Sequence, residues 1–189
     1  MEKIHPPVIS EIEEGIMMHF HTRPWNQVSD QAFFDHCQIE SFKTTLPNVE
    51  SLSDDEIRQK YQEFDANDPI DMSSPNHMVF IGETPGGHPA GLIWVCHRAP
   101  FWRYREHLTW IYNLHILPKF RRQGLAKLLL ETIEKWTHDE GLHVIALHVL
   151  DDNQPARALY ESYGYTLVET HKKSCFYEKT LPSSNENKS

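Results

Sequence analysis

Residues 107–150 change hydrophobic period twice, and this alternation constrains the fold more than any other feature of the chain. Residues 107–117 form an apolar-rich strand stopped by Pro118. From about residue 122 to residue 140, Leu125, Leu129, Ile133 and Trp136 recur at the 3.6 period of an amphipathic helix, which Gly141 ends. Residues 143–150 return to a strand. A strand, helix and strand of these lengths form a crossover, so the two strands run parallel in one sheet. Glu131 and Lys135 are expected to add an i,i+4 ion pair on the wet side of the helix.

The flanking segments extend this plan. Residues 154–163 read as a short helix ended by Gly164, followed by strands over 165–171 and 174–180. Upstream, residues 16–21 read as a first strand, and residues 29–42 as a helix carrying Phe33, Phe34, Cys37 and Phe42. Ser53 followed by Glu56 is a capping box opening a second helix that runs to about residue 64. Two apolar runs, 77–83 and 90–97, flank Thr84-Pro85-Gly86-Gly87-His88-Pro89 and predict an antiparallel hairpin. The expected fold is mixed α/β, one domain over residues 1–182, with residues 183–189 a disordered polar tail. At 189 residues the chain can bury on the order of 70% of its extended surface, enough for a core without metal or disulfide staples.

Composition removes several function classes. Cys37, Cys96 and Cys175 are odd in number and form no CxxC pair, so neither a disulfide framework nor a zinc ribbon is read. The first residues mix acids and prolines where a signal peptide needs an apolar stretch. Apolar runs such as 91–96 fall far short of the roughly 20 residues of a membrane span. A cytoplasmic protein without a membrane partner is expected. The net charge of -9 disfavours nucleic acid, whose phosphates it repels. Thirteen histidines raise the question of metal, but His19-x-His21 and the pair His115 with His148 offer too few ligands, and no metal is expected.

The chemically informative stretch is Leu117-Pro118-Lys119-Phe120-Arg121-Arg122-Gln123-Gly124-Leu125-Ala126, between strand and helix. A glycine with a small residue two places on lets backbone N–H groups approach a ligand at a helix N-terminus, where they lack helical partners. With the helix dipole they make an anion site, and Lys119, Arg121, Arg122 and Lys127 add local positive charge. A phosphate or pyrophosphate is the expected ligand. Taken alone, Gly124 is equally well a plain strand-to-helix turn with a solvated cationic patch. Neither a P-loop nor a G-x-G-x-x-G dinucleotide motif is present.

Arg121-Arg122-Gln123-Gly124-Leu125-Ala126 resembles the Q/R-x-x-G-x-G/A motif of the GCN5-related N-acetyltransferases, with Ala126 in place of the commoner glycine. About thirty residues on, Asn153-Gln154-Pro155-Ala156-Arg157-Ala158-Leu159-Tyr160-Glu161-Ser162-Tyr163-Gly164-Tyr165 resembles the family's N-x-x-A-x-x-L-Y-E-x-x-G-F/Y segment. The likeness covers residues 77–181; the first 75 residues share only the order of elements. It implies a single domain whose mixed central sheet contains a split parallel strand pair flanked by helices. It also implies acetyl-CoA as cosubstrate, with its pyrophosphate on the backbone of Arg121, Arg122, Gln123, Gly124, Leu125 and Ala126. Asn153 would join the cofactor site. The pantetheine arm would pair with the backbone of Leu114 and Ile116 like an added strand.

The activity so implied is direct attack of a primary amine on acetyl-CoA in a ternary complex, which calls for a base and an acid. Tyr160 matches the tyrosine that serves as acid to the departing thiolate, although a packed core tyrosine accounts for it too. Alternation along the strands puts Asn113 and His115 on the face opposite Leu114 and Ile116, and His148 on the face opposite Ile145, Leu147 and Val149. Many members carry a glutamate base on one of these strands; here His148 is the leading candidate and His115 the second, each equally compatible with a structural role. The acceptor cleft is expected between the acidic segment 50–71 and residues 101–105, where Trp102 or Tyr104 could stack on a small amine or a peptide amino group. A non-catalytic acyl-CoA-binding sensor with the same fold is the alternative, favoured by the missing glutamate. Exposed strands near the C-terminus make a homodimer possible.

Overall fold

The computed structural model describes residues 19–67 and 69–182. In chain order its elements are β1 (His21–Pro24), α1 (Gln27–Lys43), α2 (Asp54–Asn67), β2 (His77–Glu83), β3 (Pro89–Arg98), β4 (Leu108–Ile116), α3 (Leu125–Asp139), β5 (Val144–Leu150), α4 (Gln154–Ser162), β6 (Thr166–His171) and β7 (Ser174–Thr180). The strands form one seven-stranded sheet in the order β1-β2-β3-β4-β5-β7-β6. The crossover through α3 makes β4 and β5 parallel, with Thr109, Trp110 and Ile111 opposite Ile145, Ala146 and Leu147. The other neighbouring strands are antiparallel.

Both faces of the sheet are covered, by different helices. On one face Leu125, Leu129, Leu130 and Ile133 of α3 pack on Phe80, Ile93, Ile111, Ile145 and Leu147, and Tyr160 of α4 joins them. The stripe read from the sequence is therefore the stripe that is buried. Gly82 of β2 is needed here for a close approach: a Cβ on it would lie 2.5 Å from Leu125 Cδ1. On the opposite face Phe34 and Cys37 of α1 pack on Val79, Ile81, Leu92 and Trp94. Phe42 then carries α2, its ring 5.5 Å from Tyr61 and 5.3 Å from Phe64. A third cluster, Leu108, Trp110 and Ala146 with Phe101, Tyr104 and Phe176, lies under the connection between β3 and β4.

Local signals place most boundaries within two or three residues. The capping box is present: Glu56 Oε2 accepts from the Ser53 N–H at 2.8 Å, and Ser53 Oγ accepts from the Glu56 N–H at 3.3 Å. α1 starts earlier than read, because Asn26 Oδ1 accepts from the N–H groups of Val28 and Ser29. The first strand spans residues 21–24 rather than 16–21, and residues 16–18 lie outside the described residues, as does the tail 183–189. The Glu131–Lys135 pair is not formed. Lys127 takes Glu131 at 3.7 Å and Lys135 takes Asp139 at 2.5 Å, since each side chain has an alternative partner one turn away.

Candidate active site

The parallel pair is open at one end. Its ladder stops at Ile111 and Leu147, although β4 continues beside β3 as far as Ile116 and β5 continues beside β7 as far as Leu150. The cause lies in β4. Trp94 of β3 faces Asn113 while Val95 faces Ile111, so Tyr112 is an extra residue, a β-bulge. A bulge bends its strand and increases the local twist, which here carries the end of β4 away from β5.

The bulge also sets which way the candidate residues face. Thr109 points toward α3, where it meets the Thr137 hydroxyl at 2.9 Å, and Ile111 joins the α3 core. Unbroken alternation from Thr109 would send Asn113 and His115 to that same face. With Tyr112 inserted, Leu114 and Ile116 pack against the α3 core, and Asn113 and His115 turn to α1.

On the α1 side these two residues enter a polar network. Asn113 Nδ2 donates to Gln38 Oε1 at 2.9 Å, so Asn113 Oδ1 faces Ser41 and accepts its hydroxyl proton at 2.9 Å. Ser41 has a single proton to give. Its Oγ also lies 3.3 Å from His115 Nδ1. His115 Nε2 is buried without a hydrogen-bond partner among the described residues. With 8% of its surface exposed, His115 has its pKa pushed down to about 4, first by burial and then by the Arg121 charge.

His148 stands on the other side of the split, on the same face of the sheet. Its ring lies 6.1 Å from Trp110 and 5.9 Å from Phe176. It is exposed, yet desolvation holds its pKa below the usual imidazole value. The ring is open to solvent and flanked by two aromatic side chains. Tyr160 comes from the opposite face: it is 7% exposed, packed 5.5 Å from Tyr165, and burial keeps its phenol protonated far above neutral pH. The structure thus brings His115 and His148 to one face and sets Tyr160 on the other, with the split between.

The turn before α3 has the form read from the sequence. Gly124 caps the helix at φ 88° and Arg122 has φ 61°; no side chain caps this N-terminus. A Cβ on Gly124 would meet nothing within 4 Å, so the glycine is required for its backbone angle alone. Arg121 Nε donates to the Ile116 carbonyl at 2.9 Å, joining the turn to the open edge of β4. Gln123 folds back onto the Lys119 carbonyl at 2.9 Å, Leu125 is buried in the core, and Ala126 is half-buried. Asn153 is a helix cap, its Oδ1 accepting from the Ala156 N–H at 3.2 Å. Sequence reading missed Gln38, Ser41, Trp110 and Phe176, which carry no motif and belong to the site by tertiary contact. Among the described residues no group of three or more His, Cys, Asp or Glu could hold a metal ion, and no helix is long and apolar enough to cross a membrane.

A mixed sheet opened within its parallel pair, with a helix N-terminus free of a side-chain cap beside the opening, defines a class of α/β protein in which an open strand edge and an anion-favouring helix start lie side by side. The model of the acetyltransferase (GNAT) family matches residues 42–165, more than half of the chain, and the chain belongs to that family. It is 30% identical over 100 residues to the uncharacterized N-acetyltransferase YdgE of Bacillus subtilis (strain 168), covering 53% of this chain and 62% of that protein. It is 34% identical over 88 residues to the thialysine N-epsilon-acetyltransferase of Caenorhabditis elegans, covering 47% of this chain and 51% of that protein. The matches thus span between half and two thirds of these relatives. In fold it resembles the PaiA N-acetyltransferase of Thermoplasma acidophilum, solved with coenzyme A, at a TM-score of 0.66 and 17% identity, covering 87% of this chain and all of that one.

Proposed function

We propose that this chain is an acetyl-CoA-dependent N-acetyltransferase acting on a primary amine. The observation that carries the reading is the end of the β4–β5 ladder at Ile111 and Leu147, beside the uncapped start of α3. The residues fit the cosubstrate: the open backbone edge at Leu114 and Ile116 suits an added extended chain, and the Arg121–Ala126 turn suits a pyrophosphate. Acetyl-CoA supplies an activated thioester carbonyl.

The chain's own residues then divide the proton transfers. His148, neutral at pH 7 and open to solvent, takes a proton from the attacking amine as the N–C bond forms. Tyr160, protonated and on the far side of the split, gives a proton to the sulfur as the C–S bond breaks. The amide and the free thiol leave His148 protonated and Tyr160 deprotonated, and one proton lost from His148 to solvent and one regained by Tyr160 restore the starting state. His115 is the weaker base, since a pKa of about 4 leaves little affinity for a proton at neutral pH, and its Nδ1 is committed to Ser41. It serves as a buried part of the Ser41–Asn113 network that fixes the end of β4.

Thiol release from acetyl-CoA against a panel of primary amines tests this reading. Amine-dependent release that falls in Tyr160→Phe supports it. Tight coenzyme A binding with no amine-dependent release overturns it and leaves a CoA-binding module.

A further inference from the structure

The two halves of the histidine face are covered differently. α1 lies over β2, β3 and, through Gln38 and Ser41, the end of β4. The half formed by β5 and β7 presents His148 and Phe176, and the packing described for it comes from residues 101–104 of the β3–β4 connection. At the tip of that connection Trp102 is 45% exposed and held at φ 51°, a left-handed angle that a tryptophan rarely adopts. The angle sets its ring 4.9 Å from Phe176, whose own ring is 5.9 Å from His148. A continuous aromatic surface therefore runs from the loop tip to the base proposed above.

The charge around this surface narrows what it can receive. The Arg98 guanidinium sits 3.9 Å from the Phe101 ring centroid and 5.5 Å from that of Trp110, and the Arg103 guanidinium 5.8 Å from that of Trp102. Arg103 already lies over Trp102 and Arg98 over the neighbouring Phe101 and Trp110, so a polycationic acceptor body meets like charge at the loop tip, with Glu178 acting on Tyr104 on the loop's other side. A flat neutral ring meets none, and stacks on Trp102 and Phe176 with its amine on a short tether toward His148.

We infer that Trp102 and Phe176 form an acceptor subsite selecting primary amines borne on an aromatic or heteroaromatic body, with Trp102 the specificity-determining residue. The inference rests on the acetyltransfer reading for its catalytic consequence, but not for binding. The test compares kcat/KM for 2-phenylethylamine, 2-cyclohexylethylamine and spermidine in wild type, Trp102→Ala and Trp102→Phe. Calorimetric titration of 2-phenylethylamine onto the protein with coenzyme A runs in parallel. The wild type is expected to prefer the aryl amine by about tenfold over both others; Trp102→Ala loses that preference and weakens binding about tenfold, and Trp102→Phe restores most of it. Acetylation of all three amines without aryl preference, or a preference that survives Trp102→Ala, overturns the subsite and leaves the transfer reading intact. Saturable aryl amine binding that depends on Trp102, with no turnover of any amine, sustains the subsite and overturns the transfer reading. No aryl amine binding overturns the subsite.

Discussion

Ser41 Oγ of α1 lies 3.3 Å from Nδ1 of His115 on β4. The same hydroxyl meets Asn113 Oδ1 at 2.9 Å, and the imidazole's Nε2 is buried without a hydrogen-bond partner among the described residues. The contact joins the helix that covers one face of the sheet to the strand that opens the split.

Burial of this imidazole makes stability depend on pH. Its pKa is lowered from 6.5 to about 4, so between those values the unfolded chain binds a proton that the native protein refuses. Stability is expected to fall as pH drops from about 6.5 to about 4 and then to level, a loss of at most roughly 3 kcal/mol. In His115→Asn, which keeps a polar side chain toward Ser41, thermal denaturation across that range should show a shallower decline. An equally steep decline would assign the effect to other groups.

His148→Ala is expected to lower kcat by about 10²–10³ while leaving coenzyme A affinity within a factor of about two. Since the His148 pKa is lowered, the wild-type acid limb of kcat at saturating amine should lie below pH 6.5 and vanish in the variant. The profile is read from initial rates of thiol release.

Tyr160→Phe keeps the ring among Tyr165 and Tyr177 and removes only the hydroxyl. Expected are a fall of about ten- to a hundredfold in kcat and a stability change under about 1 kcal/mol. Tyr160→Ala should instead cost about 3–5 kcal/mol in urea unfolding, through the cavity it leaves. A Phe variant with full turnover would remove Tyr160 from the chemistry.

Two glycines should respond in opposite ways. Gly124→Ala meets no atoms but forces alanine to φ 88°, at a cost of about 1–2 kcal/mol. Relaxation of that strain disturbs the turn, so weakened coenzyme A binding should be its main effect. Gly82→Ala places a methyl 2.5 Å from Leu125 Cδ1, and a loss of about 1–3 kcal/mol of stability should dominate. Unfolding curves and CoA titrations on both variants check the contrast.

Legibility in the sequence followed the range of the interactions. The α3 stripe, the Ser53–Glu56 box, the β2–β3 hairpin and the Gly124 turn were all readable, because each is encoded within one or two turns or strands. The expected pair Glu131–Lys135 gave way to Lys127–Glu131 and Lys135–Asp139 because equivalent partners lie one helical turn apart. Asn153 was read through its motif as a cofactor residue, and its side chain is engaged as a helix cap.

The sequence by itself determined the crossover, and with it the parallel pair: two strands joined by one amphipathic helix have no other way to share a sheet. The family resemblance implied a split in that pair and strand alternation the histidine face, but the tertiary structure alone gives the cause of the opening and the partners that face it. The extra residue at Tyr112 exists only in the register of β4 against β3, and it turned Asn113 and His115 toward α1. Ser41 and His115 meet across 74 positions, and Trp102 reaches Phe176 from another element altogether. No local period records such contacts, because they are fixed by how the chain packs back on itself.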